Sequence, residues 1–164
     1  MKKMNTKQLW NALINNKVTV PFFDGIFPRD MISIIENEPQ LIICNTDPSF
    51  KKGEHWVLFY FEKNLAEFYD PLGNNITYYG KEFNEVVNKF ADEYKFCKIR
   101  TQPIKSNLCG EYCLYYAYGR CKGYSMEYII ESMSSSRKVV NFVNKHYCIC
   151  TNTSCNLLQY CEEK

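Results

Sequence analysis

Two apolar, β-prone runs separated by a short polar link constrain this chain more than any other feature. They are Trp56-Val57-Leu58-Phe59-Tyr60-Phe61 and Leu65-Ala66-Glu67-Phe68-Tyr69, joined by Glu62-Lys63-Asn64. Strands linked so tightly are expected to lie as antiparallel neighbours. Asp70-Pro71-Leu72-Gly73 then reads as a turn. His55 opens the first strand and Asp70 closes the second, so the hairpin brings both to one sheet edge. A carboxylate placed there can fix an imidazole tautomer and stabilise the imidazolium.

The second organising stretch runs from Gln102 to Tyr118, where Lys105-Ser106-Asn107 gives way to Leu108-Cys109-Gly110 and an apolar, aromatic run. Ser106 and Asn107 are good N-cap residues, which predicts a helix beginning beside Cys109. Unpaired N–H groups and the positive end of the helix dipole favour a thiolate over a thiol at such a place. A nucleophile needs a base, an orienter for that base and donors for an oxyanion. The chain holds two histidines, so His55 and His146 are the candidates, and His55 has Asp70 at its edge. Gln102, seven positions before Cys109, is placed to set its amide N–H beside the Cys109 N–H as an oxyanion hole.

These residues occur in the order His-Trp, Tyr-Asp-Pro-Leu-Gly, then Gln followed by Cys-Gly. In that order the chain resembles the adenain family, the cysteine proteases of adenoviruses and of Polinton and virophage-type elements, related to the Ulp-type SUMO proteases. The resemblance covers about Phe22 to Tyr118. It implies His55 as general base, Asp70 as its orienter, Gln102 as an oxyanion donor and Cys109 as nucleophile. It also sets Gly53, Glu54 and Trp56 beside the cleft as substrate contacts, with Trp56 shielding His55 from water. Adenovirus enzymes typically carry Glu where this chain has Asp70, whereas Ulp-type enzymes carry Asp. The Gln-to-Cys spacing is the viral one, and Asn107-Leu108-Cys109-Gly110 lacks the Asp-Cys-Gly of the Ulp branch.

The implied fold is α+β and papain-like or adenain-like: a central, largely antiparallel sheet with helices around it and the nucleophile at a helix N-terminus. The implied function is a viral maturation endopeptidase, acting on capsid or core protein precursors in the virion and infected cell. No metal or organic cofactor is required; a peptide activator is possible by family resemblance, with Cys97 roughly where a tether cysteine would stand. Deconjugation of a ubiquitin-like modifier is the alternative within the same chemistry.

Length and composition agree with one domain over residues 1–164, since 164 residues support a sizeable single core. Aromatics make up 16% of the chain, which suits a packed fold rather than disorder. A formal charge of +2 gives DNA or membrane binding no bulk electrostatic drive, and the expectation is a monomer that binds neither. No apolar run approaches a membrane span, and Met1-Lys2-Lys3-Met4 leads into polar residues rather than a signal core. Nine cysteines without a secretion signal point to reduced thiols rather than a disulfide framework.

Around the site, Asn5-Thr6 with Leu9, Trp10, Leu13 and Ile14 predicts a capped amphipathic helix. Val18–Phe23 reads as extended, Phe27–Asp30 as a loop and Leu41–Cys44 as a strand. Phe83, Val86, Val87 and Phe90 predict a helix over about 80–93, and Lys95–Arg100 a strand leading to Gln102. Helical patterns follow at 125–131 and 135–147. His146, Cys148, Cys150, Cys155 and Cys161 form the competing constellation. Their Cys-x-Cys-x4-Cys-x5-Cys spacing lacks the two-residue gap of a zinc knuckle, so no metal is expected. A non-catalytic module with a zinc-held surface is the reading from a different class.

Overall fold

The computed structural model describes residues 2–33 and 38–149. Five strands form one mixed sheet in sequence order: β1 Phe23–Pro28, β2 Gln40–Asn45, β3 Trp56–Glu62, β4 Leu65–Tyr69 and β5 Glu93–Phe96. The centre is antiparallel, β2 to β3 and β3 to β4, while each edge strand runs parallel to its neighbour. Helices cover both faces, so the fold is α+β as the sequence implies.

The hairpin forms with Glu62 opposite Leu65 and Leu58 opposite Tyr69. Its tip is Lys63-Asn64, with φ of 52° and 64°, the left-handed pair that a type I′ turn demands. Alternation then sorts the strands into two cores. Leu41, Ile43, Trp56, Leu58, Tyr60 and Tyr69 face one way. Ile42, Cys44, Val57, Phe59, Phe61 and Phe68 face the other, towards Phe83 and Val87.

The first face is covered by α3 (Cys109–Cys121), flanked by α1 (Thr6–Ile14), α4 (Met126–Ser132) and α5 (Ser136–His146). Nine of the thirteen residues of α3 are buried, which marks it as the central helix. Tyr116 stacks on Tyr69 at 4.3 Å, and Arg120 Nε meets the buried Glu67 carboxylate at 2.7 Å. The second face is covered by α2 (Glu82–Phe90), preceded by a 3₁₀ turn at Ile76–Tyr79. Among the described residues, no helix is long and apolar enough to cross a membrane.

Several local expectations change. Asn5 does cap α1, with the Gln8 side chain returning to the Asn5 N–H as a capping box. Ser125 and Ser135 cap α4 and α5. Residues 17–22 form turns instead of an extended run, and Phe27-Pro28 end β1 instead of opening a loop. The last strand ends at Phe96, not Arg100. There the chain leaves the ladder to pass close over Gly73, whose φ is +76° and whose added Cβ would lie 2.9 Å from both the Lys98 carbonyl oxygen and the Arg100 nitrogen. Just beyond, the Thr101 and Gln102 N–H groups both donate to the Pro71 carbonyl at 3.0 Å. The Asp70 turn and the strand leading to Gln102 are thus one packed unit.

A pair of substitutions separates backbone strain from this close approach. Gly123 also has positive φ (+86°), but nothing lies within 4 Å of its would-be Cβ. Gly123→Ala is expected to cost about 1–2 kcal/mol of stability, the left-handed penalty alone. Gly73→Ala pays that and must also displace backbone. Denaturant titration of the two variants should show the larger loss for Gly73→Ala; equal losses would mean that the approach of residues 98–100 is unimportant.

Candidate active site

The hairpin register sets His55 and Asp70 at the same end of β3 and β4, and the side chains meet. His55 Nε2 lies 2.6 Å from Asp70 Oδ1. Asp70 is fully buried and His55 is 8% exposed. With Nε2 given to the carboxylate, Nδ1 is the ring nitrogen left for Cys109, whose side chain favours the charged form of His55. Cys109 is the first residue of α3 and is 3% exposed. The structure therefore brings Cys109, His55 and Asp70 into one chain of contacts.

The electrostatics of this group follow from burial opposed by charge. Burial penalises a charged imidazole, but hydrogen bonds and charges at Asp70 and Cys109 outweigh it and raise His55 to about 9. Burial likewise works against the Asp70 carboxylate. Its bond to His55, the imidazolium charge, the Tyr79 hydroxyl and the Leu72 N–H prevail, and its pKa falls below the usual value. At neutral pH the site therefore holds an imidazolium beside a carboxylate.

Gln102 is tied to the turn that follows Asp70 by the Pro71 carbonyl, which accepts its N–H. Its side chain is buried and donates from Nε2 to the Ser106 carbonyl at 2.7 Å, tying off the loop that leads to Cys109. One amide hydrogen is thereby spent and a second remains. Gln102 Oε1 and Ser106 Oγ are buried without a hydrogen-bond partner among the described residues. The loop also corrects the expected helix cap. The N-cap residue is Leu108, with no side-chain cap bond, and neither Ser106 nor Asn107 fills that role. Ser106 is held instead in a turn by its N–H to Pro103 and its carbonyl to Gln102. An uncapped helix start leaves first-turn N–H groups directed at whatever occupies the space ahead of Cys109.

Of the three residues expected to contact substrate, Gly53 and Glu54 lie in the loop entering β3 and Trp56 begins that strand. Gly53 has φ +85° and packs against the Asn45 side chain. The carbonyls of Gly53 and Glu54 both accept from Lys3 Nζ. Trp56 is 5% exposed, and its indole N–H donates to the Met4 carbonyl at 2.9 Å. A cavity of about 390 Å³ opens beside them, bordered by Lys3, Ile26, Asn45, Ser49, Gly53 and Trp56.

Three contributors escaped sequence reasoning. Lys3 and Met4 reach the loop from about fifty residues away, and Tyr79 reaches Asp70 from a 3₁₀ turn. None of the three carries a periodic or motif signal. Cys97 is buried, and its Sγ contacts the Ile99 backbone. Among the described residues, no group of His, Cys, Asp and Glu could hold a metal. Cys150, Cys155 and Cys161 lie outside the described residues.

No protein-family model matches the sequence, and no curated protein does. Solved structures do match by shape. The crystal structure of ASFV pS273R protease aligns with a TM-score of 0.54 at 16% identity, over 88% of this chain and 65% of that one. A selenomethionine crystal structure of the same protease aligns at 0.49 and 23% identity, over 67% of this chain and 45% of that one. The chain spans less than two thirds of the length of either. At these identities the likeness is one of fold: this α+β architecture is that of a protease structure.

The two histidines offer a direct check on the electrostatics. His146, partly buried and facing the charges of Lys145 and Lys122, is lowered from its ordinary 6.5. Imidazole NMR titration should show one ring losing its proton below pH 6.5 and the other near pH 9. Cys109→Ala should lower the upper midpoint, because it removes a side chain that favours the imidazolium, and should leave His146 unmoved. Two midpoints near 6.5 would remove the His55–Asp70 ion pair.

Proposed function

We propose that the chain is a cysteine endopeptidase of the viral, adenain-like and Ulp-related kind. The observation that carries this reading is His55 held between a buried carboxylate at Nε2 and the Cys109 side chain. A buried imidazolium pointed at a helix-start cysteine has little structural rationale and a direct catalytic one.

In this reading Cys109 Sγ attacks the scissile carbonyl carbon. A C–S bond forms, and the carbonyl electrons move to oxygen. That oxyanion is met by the Cys109 N–H and the remaining amide hydrogen of Gln102. Collapse breaks the C–N bond while His55 passes its proton to the leaving amine. Water then attacks the thioester and gives a proton back to His55, releasing the acid and restoring the thiolate. No metal or organic cofactor enters. Asp70 holds the ring and stabilises its charged form throughout.

The substrates proposed by resemblance are viral structural protein precursors, cut after small or Gly-containing sites in the virion or infected cell. A peptide activator belongs to the same proposal, as does a monomeric enzyme that requires neither DNA nor membrane.

A fluorogenic peptide with small residues before the scissile bond provides the assay. Cys109→Ala should abolish hydrolysis with the fold kept, and iodoacetamide should label Cys109 fastest of the nine thiols. Activity should resist a chelator and fall to the alkylator. Chelator-sensitive folding with no peptidase activity would instead favour the zinc-held binding module.

Gln102 makes a sharper test. Gln102→Ala should lower kcat by about 10²–10³ with little change in KM, the loss expected for one oxyanion donor. Gln102→Glu should be at least as damaging, since a carboxylate offers no donor and repels the developing charge. Alkylation of Cys109 forms no oxyanion, so both variants should keep their labelling rates. If hydrolysis and labelling fall together, Gln102 supports the loop through Ser106 and is not an oxyanion donor.

A further inference from the structure

We propose that Tyr79 is a positioning residue of this site, acting on His55 by holding the Asp70 carboxylate in line; this rests on the protease reading above. A carboxylate offers two oxygens with about four lone-pair positions, and at Asp70 all four are filled. Oδ1 accepts from His55 Nε2 at 2.6 Å and from the Leu72 N–H at 2.8 Å. Oδ2 accepts from the Asn74 N–H at 3.1 Å and from the Tyr79 hydroxyl at 2.6 Å. Leu72 and Asn74 belong to the turn that Asp70 itself begins. Among the described residues, Tyr79 is therefore the one side chain, apart from the histidine being oriented, that pins the carboxylate from beyond that turn.

The hydroxyl has little freedom to do anything else. Asn74 Nδ2 donates to the Tyr79 oxygen at 3.1 Å, so the hydroxyl hydrogen is committed to Asp70. Burial, and then the Asp70 charge, raise Tyr79 above its ordinary value, so it stays a donor across the working pH range. The ring is placed as firmly. It lies 6.3 Å from the His55 ring at an interplanar angle of 30°, and meets Phe83 of α2 edge-on at 6.1 Å. Arg29 donates to the Tyr79 carbonyl and pairs with Glu82 at 3.3 Å, anchoring the turn between β1 and α2. Tyr79 thus touches both members of the His–Asp pair, by its hydroxyl and by its face.

Without the Tyr79 hydroxyl, Oδ2 keeps only the longer 3.1 Å bond from the Asn74 N–H, and the alignment of the carboxylate with Nε2 loosens. Both the imidazolium and the Cys109-facing orientation of the ring then weaken. The titratable groups facing His55 are Asp70, Tyr79 and Cys109, so a shift in its titration reports on these contacts.

The experiment compares wild type, Tyr79→Phe, Asp70→Asn and the double variant as full chains. Tyr79→Phe keeps the ring and its packing and removes only the hydroxyl. It should lower kcat about tenfold, the order set by one hydrogen bond to a charged group, with KM unchanged. The His55 midpoint read by NMR should fall by roughly half a unit or more. In the Asp70→Asn background the same change should cost nothing further, because Tyr79 acts only through the carboxylate. An unchanged kcat and midpoint, or an equal loss in both backgrounds, overturns the proposal. If wild type cleaves no peptide, the protease reading fails separately, and the midpoint alone still decides Tyr79: a fall supports it and no change rejects it.

Discussion

The Asp70 side chain has no solvent-exposed surface, and the rest of the site depends on how that is tolerated. A buried, ionised carboxylate survives only when its oxygens are met by donors. Here two backbone N–H groups, one phenol and one imidazole supply them. Each donor fixes something else in turn. The Leu72 and Asn74 bonds shape the turn that carries Pro71, whose carbonyl gathers the N–H groups of Thr101 and Gln102. The His55 bond decides which ring nitrogen faces Cys109. One buried charge thereby links the hairpin, the path to Gln102 and the orientation of the base.

What was legible in the sequence was what local pattern controls. The β3–β4 hairpin follows from two apolar runs and a short polar link, and its register alone puts His55 and Asp70 at one edge. The helix after Cys109 follows from an apolar, aromatic stretch behind a polar loop. Less legible were features set by contacts that no periodic pattern marks. Ser106 and Asn107 have the chemistry of caps, yet the Gln102 amide and the Pro103 carbonyl claim Ser106 for a local turn that competes with capping. The strand after Glu93 stops at Phe96 because the backbone must cross Gly73, an encounter no alternation pattern announces. Tyr79 was invisible because its partner is nine positions away across a turn and a 3₁₀ segment, with no repeat to mark it.

His55 shows which effect wins when burial and charge disagree. Burial alone would lower an imidazole, as it lowers His146, where neighbouring lysines add to the effect. At His55 the same penalty is overcome because the buried Asp70 carboxylate and the Cys109 side chain both favour the charged ring. The two histidines of one chain therefore move in opposite directions for identifiable reasons, and only one is suited to hold a proton at neutral pH for a leaving group.

The Cys109-Gly110 pair has a packing reason beyond its place at a helix start. Met4 lies against Gly110 so closely that an added Cβ would sit 2.9 Å from the Met4 Cβ and 3.1 Å from its sulfur. The same residue accepts the Trp56 indole N–H through its carbonyl, and Lys3 beside it binds the carbonyls of Gly53 and Glu54. One short segment therefore touches both the loop entering at His55 and the first turn of the Cys109 helix. Distance between nucleophile and base is set partly by this clasp, and a side chain at position 110 would wedge it open. The glycine after the cysteine is explained here by the approach of Met4, a cause that would operate even if the helix dipole had no influence on the thiol.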